Sequence, residues 1–197
     1  MHCGTINLLV PVSQLDSLQI YAVNSRRHQE GSFMLVQTVE FLKYRHERAS
    51  QYFLGEAAKI DSQNAYRFAH ANWPGHHWGI GQNGSAASIV YHVAAWRRLT
   101  LPVLHGDTKM MGTTDFNPDL APLMDDWSAI LEWAKSETRS WSEALKTLSQ
   151  GDLERRIDWG TDGTPELGSV VWSIIEHDIQ HASQLEYLQQ MYLRDLD

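Results

Sequence analysis

"SVVWSIIEHDIQHASQLEYLQQMY", residues 169 to 192, is the stretch on which the reading of the fold turns. Val171, Ile174, His177, His181, Leu185, Leu188 and Tyr192 advance by three or four residues, the spacing that places side chains on one face of an α-helix. A strand would alternate apolar and polar residues instead, and this stretch does not. The spacing predicts a helix that opens near Thr164 or Gly168 and runs to about Arg194.

Working outward, the same period recurs three times. Leu35, Val39, Leu42, His46, Ala49, Phe53, Ala57 and Ile60 mark a first helix over about 33–60. Ser85 caps a second, with the inward line Ile89, His92, Trp96, Leu99 and Val103; Pro102 is expected to kink or end it, because proline removes a backbone donor and clashes with the preceding turn. Asn117 and Pro118 read as the cap and first turn of a third helix, which Leu120, Leu123, Trp127, Ile130, Ala134, Trp141, Leu145 and Leu148 carry to about 149. "NWPGHHWGIGQNGS" (72–85), dense in Gly, Pro and Asn, "HGDTKMMGTTDFNPD" (105–119) and "GDLERRIDWGTDGT" (151–164) are connections, the last able to hold a short turn or extended piece. Four long helices without strand alternation predict an all-α protein, an up-down four-helix bundle over residues 33–197. Residues 1–32 carry no clear period and end in "NSRRHQEGS", which reads as an N-terminal arm or extension.

A chain of 197 residues suits one domain with a substantial core. Its net charge of -8, spread along the chain, disfavours a nucleic-acid partner, which wants a basic stripe. The single cysteine, Cys3, cannot form an internal disulfide and sits in an unpatterned segment with no base to activate it. No run approaches the roughly 18 apolar residues of a membrane helix, and the apolar residues from Ile6 to Val10 are too few for a signal-peptide core. A cytoplasmic protein acting on a small molecule, with no membrane partner, is the expectation. Eight tryptophans supply large core area, and ten histidines are the more informative excess.

Ten histidines in 197 residues place a pair four apart by chance about half a time per such sequence, so the spacing of His177 and His181 decides little by itself. Their position decides more. Residues four apart on a helix point the same way with Cβ atoms about 5–6 Å apart, close enough for both rings to reach one ion at about 2.0–2.1 Å. Both lie on an apolar stripe, where each unpaired polar group costs about 1–3 kcal/mol. His92 holds the same kind of place between Ile89 and Trp96 on the second helix. Three inward histidines on two helices point to a shared divalent cation, zinc or nickel by the preference of imidazole ligands. Three ligands leave a coordination position open, as catalytic sites do.

"SIVYHVAAWRRL" (88–99) and "HDIQHASQLEYL" (177–188) resemble the metal-site signatures of the DinB/YfiT superfamily of four-helix-bundle metalloenzymes. The resemblance covers about residues 33–194 and implies that His92, His177 and His181 hold the ion. The helix-four signature also carries an acidic residue after the first histidine and a small residue and Gln after the second, matched by Asp178, Ser183 and Gln184. The resemblance further implies chemistry with a low-molecular-weight thiol, as in transferases and isomerases of that superfamily. The physics agrees with thiol activation without selecting it, since a metal ion stabilises a thiolate.

Asp178 inside H-D-x-x-H invites comparison with the zinc-protease H-E-x-x-H, but aspartate is one methylene shorter and no histidine follows His181. It reads instead as lying beside the stripe, bonding an imidazole or a neighbouring helix and so orienting the ligands. His46 reads as a satisfied core histidine or as a fourth ligand or proton carrier. His76 and His77 read as exposed loop residues, Trp96 as core packing or a pocket wall, and Arg97 with Arg98 as an exposed cap. The function expected is metal-dependent transferase or hydrolase chemistry on a small molecule. The rival is a non-catalytic metal-binding helical module that stabilises a homodimer through aromatic residues such as Trp133, Trp141 and Tyr192.

Overall fold

A computed structural model describes residues 38–67, 84–109, 126–159 and 163–194. Four helices carry these residues: α1 Val39–Ala58, α2 Ala86–Leu104, α3 Trp127–Thr147 and α4 Leu167–Arg194. No strand occurs among the described residues. The all-α four-helix bundle expected from the apolar periods is the fold observed.

Each of the first three helices opens on a side-chain oxygen that satisfies one of the orphan N–H groups of a first turn. Thr38 Oγ1 accepts from Phe41 N at 3.1 Å, Ser85 Oγ from Ser88 N at 3.2 Å and Asp126 Oδ1 from Ala129 N at 2.9 Å. The last of these corrects the expected start of the third helix. Asp126 has extended backbone (φ -107, ψ 92) and caps Trp127, so the helix begins there and not at Pro118; Asn117, Pro118, Leu120 and Leu123 lie outside the described residues, as do residues 1–37, His76 and His77. Pro102 stays inside the last turn of α2, which continues to Leu104. Before α4, a 3-10 turn at Gly151–Glu154 and an isolated antiparallel bridge between Arg156 and Glu166 fold the connection back.

Contacts fix the helix directions. Tyr91 meets Trp133, Arg97 meets Thr138 and Trp141 Nε1 donates to Thr100 Oγ1, so α2 and α3 run parallel. Phe41 stacks on Trp172 and Tyr52 donates to Glu186, so α1 and α4 also run parallel. Val39 N donates to Gln150 Oε1 while Trp127 Nε1 donates to the Ile60 carbonyl, so α1 and α3 are antiparallel. In chain order the helices therefore run up, down, down, up, so the four-helix bundle stands but its expected simple up-down order is corrected: α2 and α3 are parallel.

The interior holds two apolar clusters. One is built from Phe53, Ala57, Val93, Ile130, Leu185 and their neighbours, the other from Leu42, Val103, Trp141, Leu145, Val171 and Ile175. Between them lies a buried polar layer of His46, Ser50, Arg97, Thr138 and Asp178. Trp141 and Tyr192, proposed from sequence for a dimer surface, are inside the bundle at 0 and 5 % exposure. No helix among the described residues is long and apolar enough to cross a membrane.

Candidate metal centre

His92 on α2 and His177 and His181 on α4 converge at the seam between these helices. His92 Nε2 lies 2.9 Å from His177 Nε2, and His181 Nε2 lies 3.1 Å from the same atom. All three ligand atoms fall within 4.8 Å of one another, each ring half-buried. No other His, Cys, Asp or Glu joins them among the described residues.

Imidazole nitrogens about 3 Å apart cannot all present lone pairs to one another without repulsion; a proton or a cation must lie between them. The donor set fits a cation. Two nitrogens sharing an ion at about 2.0–2.1 Å can stand up to about 4.2 Å apart, which the separations of 2.9 and 3.1 Å satisfy. Gln184 Oε1 lies 2.7 Å from His181 Nδ1, so that ring donates through Nδ1–H and turns an unprotonated Nε2 toward His177, the arrangement common around metal-bound histidines. His177 Nδ1 is buried without a hydrogen-bond partner. Burial, then the neighbouring His181 and His92 rings and the Arg97 charge, hold the His177 pKa well below the usual histidine value, so the ring is neutral near pH 7 and its lone pair is available.

The Trp96 ring centroid lies 6.2 Å from those of both His92 and His177 in edge-on geometry, and Trp96 stacks on Trp159 at 6.4 Å and 8°. Both indoles are half-buried. They form an aromatic wall on one side of the trio.

Two sequence readings are corrected here. Asp178 does bond a neighbouring helix, one of the two roles expected of it, but it does not lie beside the stripe: it is fully buried among Ile174, Ile175, Ala182 and Leu185, while the histidines flank that line and are part-buried. Arg97 is not an exposed cap either. It is wholly buried in mid-helix, and its Nη2 donates to Asp178 Oδ2 at 2.5 Å. Arg98 is part-exposed and pairs with Glu137 at 3.3 Å.

Arg97 also reaches the two remaining helices, donating to Thr138 Oγ1 of α3 and Ser50 Oγ of α1 and lying over the Phe53 ring. The network continues to His46, which stands away from the trio. Ser142 Oγ already donates to the Thr138 carbonyl, so it accepts from His46 Nε2 at 2.9 Å; His46 Nδ1 then accepts from Ser50 at 3.3 Å. Burial first, and the Arg97 charge second, lower the His46 pKa to about 3. Its two nitrogens are therefore occupied as a satisfied core histidine. Burial raises the Asp178 pKa above the usual carboxylate value, with the Arg97 guanidinium opposing that shift.

Arg97, Ser50, Thr138 and Ser142 are the residues the sequence reading missed. A signal existed: Val93, Arg97, Thr100 and Leu104 form a second buried line on α2, and a lone Arg on one apolar line with a lone Asp on another is a candidate pair. A family model described as the DinB superfamily matches residues 43–185 of the chain. No curated protein and no solved structure matches it.

Proposed function

The chain belongs to the DinB superfamily, and from that membership and the geometry of the trio we propose that it is a divalent-metal-dependent enzyme acting on a small molecule. Membership and the three-histidine cluster together fit a metal-binding protein. The observation that carries the catalytic reading is that three imidazoles meet at a part-buried seam with no fourth ligand among the described residues. A structural site would be closed by four protein ligands; a catalytic one keeps a position for water or substrate.

In this reading His92, His177 and His181 hold zinc or nickel. The bound ion supplies Lewis acidity and raises the anionic fraction of a water or a low-molecular-weight thiol near neutral pH. Gln184 keeps His181 in the tautomer that presents the Nε2 lone pair to the ion. Trp96 and Trp159 limit water on one side and offer an apolar surface to the substrate, while the exposed edge of the seam admits it. The reaction class is transfer or hydrolysis.

Elemental analysis of purified protein, followed by a thermal-shift screen with glutathione, bacillithiol and mycothiol, tests this. Stoichiometric metal with a shift for one thiol is the expected result. Protein that binds neither zinc nor nickel would overturn the metal reading, and metal without any thiol response would remove the thiol while leaving hydrolysis.

The rival, a non-catalytic module in a homodimer, draws on Tyr44, Tyr187 and Leu193, each about 60 % exposed on α1 and α4. Sedimentation with and without metal distinguishes the two, since a metal-dependent dimer is expected only from the rival.

A further inference from the structure

The polar layer occupies a place where apolar side chains would serve stability at least as well. Arg97 and Asp178 expose no side-chain surface, and Arg97 Nε and Asp178 Oδ1 are buried without hydrogen-bond partners. A buried ion pair left partly unsatisfied is commonly no more stable than well-packed apolar residues of the same volume. Stability therefore does not account for it.

Its position does. Asp178 follows His177 directly, and Arg97 lies five residues after His92, so the pair joins the two helices that carry the trio. An apolar seam between helices tolerates sliding, because one turn of about 5.4 Å presents nearly the same surface again. The trio tolerates no such slide: its nitrogens stand 2.9 and 3.1 Å apart, and beyond about 4.2 Å two of them no longer share an ion. A directional buried polar contact can be satisfied in one register only, the role such contacts play in helical coils. Arg97 makes that contact while also bonding α1 through Ser50 and α3 through Thr138.

We propose that Arg97 and Asp178 are a positioning pair that locks α2 against α4 in the register bringing His92 to His177 and His181. The inference rests on the reading of the trio as a metal site. Its mark is a separation of two properties: removing both charges together leaves the fold intact and loosens the site.

The test compares full-length wild type with the double variant Arg97→Met/Asp178→Leu, measuring thermal unfolding of the metal-free proteins and zinc and nickel affinity by chelator competition. The expected result is a melting temperature at or above wild type with affinity lower by about ten-fold or more, the loss typical when groups supporting metal ligands are removed. Wild-type affinity in a folded double variant overturns the inference. If the double variant does not fold, Asp178→Asn, which keeps the shape and removes the charge, is judged by the same affinity criterion. Should wild type itself bind neither ion, the metal reading fails separately. The imidazole 15N shifts of the metal-free proteins then decide positioning: loss of the His92–His177 contact in the variant supports it, and its retention overturns it.

Discussion

Gln184 Oε1 stands 2.7 Å from His181 Nδ1, one turn further along α4, and this contact decides which nitrogen His181 turns toward His92 and His177. Without it the ring can rotate or carry its proton on Nε2, where an ion would bind. Gln184→Ala is therefore expected to lower zinc or nickel affinity by about ten-fold, the lower end of the range for such supporting groups. Because Gln184 is exposed, the melting temperature of the metal-free protein should stay close to wild type. Chelator competition and a thermal melt on the same sample check both halves.

His181→Ala removes one of three donors and is expected to abolish stoichiometric binding, measured by metal content after dialysis. The ring is half-buried and lies on the flank of α4, so the metal-free variant should lose no more than about 1–2 kcal/mol. A collapsed fold in the metal-free variant would contradict a site placed at the seam.

Arg97→Ala differs from the double replacement, because it strands the Asp178 carboxyl in the centre of the bundle. Breaking a buried pair on one side costs about 3–5 kcal/mol, and Ser50 and Thr138 lose their partner as well. Urea unfolding should show this loss in full, and Arg97→Lys, which cannot reach two oxygens with a planar fork, should recover only part of it.

The buried His46 gives a pH dependence of known sign. Its pKa falls to about 3 in the folded protein, from burial and then from the Arg97 charge, against about 6.5 when unfolded. The unfolded chain therefore takes up a proton that the folded chain refuses. The contribution of this residue is complete above about pH 6.5 and is lost as pH falls toward 3, at about 1.4 kcal/mol per unit. His46→Gln should show a shallower fall in urea-unfolding free energy between pH 6.5 and 4.5 than wild type; equal slopes would place the proton elsewhere.

The apolar periods by themselves determined that four helices form and which faces turn inward: Leu42, Phe53, Val103, Ile130, Leu145, Val171 and Leu185 are all buried as the spacing required. One cap, Ser85, was legible by residue type and position, and so was the general start of α4, whereas Asp126 was hidden because Asn117–Pro118 offered the same local chemistry further upstream. The three histidines were legible because each interrupts an apolar line, and the superfamily membership because their setting matches the family pattern.

What only the tertiary structure decided is finer than a helix face. A period of 3.6 locates the inward side of a helix to within a broad arc, so it cannot separate the bundle axis from the seam beside it. On α4 that difference exchanges the places of Asp178 and the two histidines, putting the carboxylate on the axis and the imidazoles at the half-exposed edge. On α2 it carries Arg97 inward, where an isolated charge is prohibitive and only the partner on another helix makes it tolerable. The lone Arg and the lone Asp on apolar lines mark a candidate pair, but no spacing along the chain records that they meet, because packing across the bundle brings them together.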